Sequence, residues 1–258
     1  MAISFQTWQQ PRRFPILIQK QVNHRITIVA ATPGEIEPFL HFLQKNAQQH
    51  SFQTFQLHTL LIDILYTGIG IMDTMYTLMD YVSHRHPDGW IQVGIGGALD
   101  HSLSMGQVYT ISSEILIGFG AEEQNGIIRD PFQLGWSDPD AFPYKTGQLE
   151  CPYHLKSGLP SATGMTSFHS HGDASRIELI RQGLNGQIES MEGAPFFYIS
   201  LMKKIPFLSF RAISNFVEPR DVSQWQIKPA IDQLNTALIQ WLEAENFNVD
   251  RLFGIGAH

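Results

Sequence analysis

Apolar and polar positions along the chain change period repeatedly, and each change marks an element. RITIVAA (25–31) is a short β-branched run closed by Thr32-Pro33-Gly34. EIEPFLHFLQKNAQQ (35–49) then repeats its apolar residues at helical spacing, so strand, turn and helix are predicted in that order. SFQTFQLHTLLIDILYT (51–67) alternates and then becomes continuously apolar, which predicts two strands or a hairpin ended by Gly68-Ile69-Gly70. IMDTMYTLMDYVSHR places Ile71, Met75, Leu78, Met79 and Val82 on one stripe of a helix, and a Met-rich stripe of this kind belongs to a core more often than to a cofactor box. WIQVGIGGAL reads as a strand running into glycines, and GQVYTISSEIL as a further strand before an acidic turn. The stretch from there to Leu149 is rich in Pro, Gly and aromatic residues and is predicted to be a long ordered loop, because Phe132, Trp136, Phe142 and Tyr144 argue against disorder.

The second half centres on residues 189–221. Glu189 and Glu192 precede Gly193 and Ala194, the apolar run FFYISLM suits about two helical turns with Pro195 near its start, and FLSFRAIS is a buried strand ending in Ser214 and Asn215. Before it, SATGMTSFHSHGD contains one more strand; after it, SQWQIKPAIDQLNTALIQWLEA reads as a capped amphipathic helix. Strands and helices alternate throughout, which predicts an α/β fold: three layers, with a mixed, mostly parallel sheet and helices on both faces. Residues 1–24 lack a period and are expected to form an N-terminal extension to a single domain, 25–258.

Composition narrows the partners. The chain has 258 residues, and 17 Lys plus Arg face 24 Asp plus Glu, a net charge of −7, so a broad phosphate-binding surface and hence nucleic acid are poor expectations. The single cysteine, Cys151, allows no internal disulfide and fits a reducing compartment. No apolar run reaches the roughly 20 residues that span a bilayer, and the N-terminus lacks a proper hydrophobic signal region, so no membrane partner and a cytoplasmic location are expected.

Candidate chemistry is modest on pattern alone. In open α/β sheets ligands lie outside the carboxyl ends of strands, which singles out Asn215, while a turn Asn is the plainer reading. Glu35 stands in a first helical turn, where an acid complements the dipole whether or not it has a further role. GIGG at 94–97 lacks the helix and acidic partner of a dinucleotide fingerprint; Gly96 and Gly97 read instead as places where backbone approaches a sugar or base. His169 and His171 have no acid or cysteine at ligand spacing, so no metal is expected.

ESMEG and RAISN resemble the MEGA or MEAT and RAISD segments of the purine nucleoside phosphorylase and nucleosidase superfamily. More narrowly, ESMEGAPFFY, RAISNFVEPRD and WQIKPAIDQLN are similar to the futalosine hydrolases, nucleosidases of a menaquinone route, and the similarity extends over most of 25–243. The resemblance implies a nucleoside phosphorylase-like fold, a small-molecule nucleoside substrate, no cofactor, and a homodimer or higher homo-oligomer. It implies Glu35 as the base that activates water and Asn215 as the residue facing a 6-oxopurine. Met191 and Glu192 would hold the ribose, with Gly96, Gly97 and Phe168 bordering the nucleoside. GFGAEEQNG, FQLGW and FPYKTGQL would read the 5′ side. TSFHSHG departs from the family's TVNTVHG, with Phe168 for Asn and His169 for Thr; a phenyl ring there can stack on a purine or pack as core. The alternatives are a purine nucleoside phosphorylase acting on inosine-like substrates and a non-catalytic purine nucleoside-binding protein of the same fold.

Overall fold

A computed structural model of the chain describes residues 24–124, 126–154 and 157–253. His24–Ala30 (β1), buried along most of its length, passes through a 3-10 turn, Pro33–Ile36, into Glu37–Asn46 (α1). The expected helix is shorter than its sequence pattern. After Asn46, Gln48, Gln49 and His50 offer no apolar residue to hold another turn on the core, and Gln48–Ser51 becomes an exposed edge strand (β2). Thr54–Leu57 (β3) and Leu60–Tyr66 (β4) complete an antiparallel meander of three strands, one more than predicted.

Ile71–His84 (α2) buries Leu78 and Val82, whereas Met79 at the stripe's edge is 42% exposed. Gly89–Ala98 (β5) contains Gly94, Gly96 and Gly97 inside the strand rather than after it. Val108–Leu116 (β6) leads into the long loop, which carries the hairpin Ala121–Glu122 (β7) and Ile128–Arg129 (β8) and then the short Leu149–Glu150 (β9). Phe132 and Tyr144 meet edge to face at 5.0 Å inside this loop, while Trp136 and Phe142 are exposed. The chain continues as Ser161–Thr166 (β10), Ala174–Gly183 (α3), Ile188–Ser190 (β11), Gly193–Lys203 (α4), Phe207–Phe216 (β12), Ile227–Ala244 (α5) and Val249–Phe253 (α6). The side-chain cap expected for α5 is absent: Gln226 occupies its N-cap without a side-chain bond, and Asp221 caps the preceding 3-10 turn instead.

The main sheet runs β11-β10-β6-β12-β5-β1-β4-β3-β2. Strands β4, β1, β5 and β12 are parallel neighbours, as are β6, β10 and β11; the β12–β6 pair and the edge strands are antiparallel. Strand β5 also pairs antiparallel with β11 through Ile188↔Ala98 and Glu189↔Gly97, closing β5, β12, β6, β10 and β11 into a ring. That closure explains Gly96, and the segment that leaves β12 explains Gly97. A Cβ at Gly96 would lie 2.7 Å from Ile188 Cγ2, and one at Gly97 2.7 Å from Val217 Cγ2. Helices α1 and α5 pack together on one side, and α2 and α4 on the other. Among the described residues no helix is long and apolar enough to cross a membrane.

Candidate active site

At the centre lies a guanidinium that the sequence pattern hides. Arg211 interrupts the apolar run of β12 and is 2% exposed. It stands in register with Gly94 of β5, and a Cβ there would fall 2.3 Å from Arg211 Nη1 and 2.9 Å from Glu35 Oε1. Gly94 thus makes the space in which cation and carboxylate meet. Glu192 Oε2 lies 3.8 Å from the same Nη1. Glu114, at the end of β6, completes the group: fully buried, it accepts from Thr166 Oγ1 at 3.0 Å and leaves no room for side chains at Gly164 or Gly193. Burial pushes the Glu114 carboxyl up to about 8, outweighing the opposing pull of Arg211 and the Thr166 bond. Arg211 Nε and Nη2 have no hydrogen-bond partner among the described residues.

Glu35 reaches this cluster from the 3-10 turn after β1. Its carboxylate accepts from the Thr32 N–H at 3.1 Å and the Ile95 N–H at 3.2 Å, and its carbonyl accepts from Asn235 Nδ2 of α5 at 2.8 Å. The backbone on one side and α5 on the other therefore fix its position. Burial raises its pKa, against Arg211 and the two backbone donors that lower it. A carboxylate so placed is a stronger base than one in water and keeps two anchoring bonds while it works.

Glu192 is the N-cap residue of α4. Its Oε1 accepts from the Gly70 N–H at the start of α2, 3.0 Å away, and its carbonyl accepts from Gln92 Nε2 at 3.1 Å. Met191 is the neighbour above, with Cε 3.9 Å from where a Gly70 Cβ would be. Glu35 and Glu192 thus converge through Arg211. Asn215 lies apart, two bonds holding its amide: Oδ1 accepts from Ser214 Oγ at 2.8 Å and Nδ2 donates to the Phe216 carbonyl at 2.9 Å. That leaves one amide hydrogen. The amide leans over Gly97, 3.1 Å from where its Cβ would be.

The loop after β10 holds an imidazole–carboxylate contact that spacing rules for metals passed over. His171 Nδ1 contacts Glu189 Oε1, both side chains being almost wholly buried, and the His171 N–H also points at that carboxylate. Phe168 is 57% exposed at the rim, so it is not core. It borders a cavity of about 310 Å³ lined also by Ile117, Phe119, His169, His171 and Leu184. A second cavity of about 390 Å³ starts beside Gly70 and Glu192, at Ile71 and Ala194, and runs past Glu114 to Phe132, Tyr144 and Leu149. Both cavities flank the carboxylate cluster rather than contain Glu35 or Glu192.

Arg211, Glu114 and the Glu189–His171 pair were not assigned roles from the sequence. The available signal was a charge inside an apolar strand, in FLSFRAIS and in VYTISSEIL, since a charge there needs a partner.

Known proteins share this architecture. A futalosine hydrolase of Thermus thermophilus is 27% identical over 188 residues, 70% of this chain and 81% of that protein. The native structure of a Helicobacter pylori futalosine hydrolase superposes with a TM-score of 0.69 at 14% identity, covering 86% of this chain and 98% of the other. The Helicobacter pylori MTAN, solved as a mutant with 5′-methylthioadenosine in its active site, also gives 0.69 at 14% identity, over 86% and 99%. At such identity the two structures speak for the fold alone. The model of the phosphorylase superfamily, however, matches residues 25–244, the whole span from β1 to the end of α5 that carries Glu35, Glu192, Arg211 and Asn215, and the chain belongs to that superfamily.

Proposed function

We propose that this chain is a nucleosidase that hydrolyses the N-glycosidic bond of futalosine, releasing hypoxanthine and dehypoxanthine futalosine in menaquinone biosynthesis. The observation that carries the hydrolytic reading is the charge at the centre of the site: two buried carboxylates, Glu35 and Glu192, lie near one guanidinium, Arg211, with the carboxyl of Glu114 beside them kept protonated near neutral pH by burial. A phosphate dianion entering there would meet an excess of negative charge, whereas water is activated by it. The same field favours the positive charge that grows on the ribose as the bond breaks.

In this reading Glu35 takes a proton from the attacking water, Glu192 accepts from the 2′- and 3′-hydroxyls, and Met191 packs on the sugar. Gly96, Gly97 and Phe168 border the nucleoside, and the remaining amide hydrogen of Asn215 is offered to N7 or O6 of a 6-oxopurine. The second cavity, apolar along Ile71, Phe132 and Tyr144 and adjoining Glu192, suits the 5′ substituent. The named relative supports futalosine.

The test is to incubate futalosine with the protein, with and without phosphate, and identify the products. Free dehypoxanthine futalosine formed at equal rates in both supports the proposal. A phosphorylated sugar formed only with phosphate indicates a phosphorylase, and binding without turnover a non-catalytic nucleoside-binding protein.

A further inference from the structure

We propose that His171, held by Glu189, donates the proton to the departing purine; this rests on the hydrolytic reading above. An amide cannot hand over a proton, so Asn215 can only hydrogen-bond the base, and the negative charge growing on it calls for a donor that can. An imidazole is the side chain suited to that near neutral pH.

The geometry points to His171. Glu189 and Asn215 both pair with Gly97, one from β11 and the other from β12, so they flank a single residue of β5 on the same face of the sheet. Two strand spacings separate their backbones by roughly 9–10 Å. The Asn215 amide leans inward over Gly97. From the other side, Glu189 binds the Nδ1 and N–H of His171 and accepts a longer bond from Ser167 Oγ at 3.5 Å, which fixes ring and loop together. Nδ1 being engaged, Nε2 is the ring nitrogen left for a ligand, and it makes no hydrogen bond among the described residues. His171 lines the cavity that Phe168 borders, and the loop that carries it meets the segment after β12, Gly172 lying in contact range of Arg220. His171 thus approaches the purine from the cavity that Phe168 borders, and Asn215, which lines a separate small cavity with Phe216 and Trp225, from the other side of Gly97.

In the step, the C1′–N9 bond breaks and its electron pair passes to the purine, while the proton on Nε2 passes to N7. The water oxygen bonds to C1′ and its proton goes to Glu35. One proton returned from Glu35 to His171 through solvent restores both groups.

The experiment compares His171→Gln and the parent on futalosine and on its N7-methylated form, whose base is already cationic and leaves without a proton. We expect kcat on futalosine to fall about 10²–10³-fold, the range of a positioned acid. On the methylated substrate the variant should lose less than about threefold or gain, through the space freed at N7. Glu189→Gln, which still accepts from the loop N–H, should show the same selectivity for the unmethylated base with a smaller loss. Equal losses on both substrates, a change confined to KM, or undiminished kcat on futalosine overturns the proposal while the hydrolytic reading stands. A parent inactive on futalosine and every other purine nucleoside overturns the hydrolytic reading itself.

Discussion

Replacing Glu114 by Gln should remove a pH dependence of stability that the parent carries. The carboxyl is fully buried, and burial raises it from 4.5 to about 8. Between those values the unfolded chain has released its proton and the folded one retains it, so stability is full below about 4.5 and falls as pH rises toward about 8. At about 1.4 kcal/mol per pH unit the whole interval amounts to roughly 5 kcal/mol, an upper end because a buried site relaxes and admits water. From pH 5.5 to pH 8 we expect a loss of about 2–3 kcal/mol attributable to this group. Gln keeps the oxygen that accepts from Thr166 and has no proton to lose. Glu35 is also raised and tilts stability in the same sense, but it does so in parent and variant alike, so the difference between the two isolates Glu114. The assay is urea unfolding of both proteins at several pH values across that range, read as the change in unfolding free energy. If the two curves run parallel, Glu114 is ionised in the folded protein and Arg211, rather than burial, governs it.

The other predictions concern the reaction. Glu35→Gln should lower turnover about 10²–10⁴-fold and cost about 1–3 kcal/mol of stability, because Thr32 and Ile95 donate to different carboxylate oxygens and only one of them keeps an acceptor on the amide; near-normal kcat in the purified, folded variant would remove Glu35 from the mechanism. Glu192→Ala should forfeit a charge-assisted contact of about 1.5–3 kcal/mol, and the parent should cleave a 2′-deoxy substrate poorly; equal rates on deoxy and ribo forms would show that Glu192 does not read the hydroxyls. Asn215→Asp should shift the ratio of kcat/KM from the 6-oxo toward the 6-amino purine by about 1–3 kcal/mol, since an ionised Asp repels O6 while a protonated one donates to N7 and accepts from an amino group. An unchanged ratio would free Asn215 from base recognition.

The local order of elements was legible because it is written in short-range period. RITIVAA, its Thr-Pro-Gly turn and the helix after it follow from alternation, turn residues and 3.6-residue spacing, as does the passage from α4 to β12. The first half of β2, Gln48 and Gln49, was misread as helix because these residues carry no period of either kind, and pairing with β3 decided their state. The superfamily, too, was legible, since its motifs are contiguous.

What the sequence alone did not determine is which charges meet. Arg211 lies 176 positions from Glu35 in the numbering and comes near enough to act on its charge only because β12 pairs with β5 in the register that sets Arg211 against Gly94. Likewise the ring closed by β11 against β5 brings Glu189 beside Gly97 and gives His171 its carboxylate. Register and closure arise from packing of the whole sheet, where a slip by one residue would turn each of these side chains to the other face. No pattern within a single strand encodes that choice, so a lone Arg or Glu in an apolar run signalled only that a partner was needed, and the tertiary structure supplied which one.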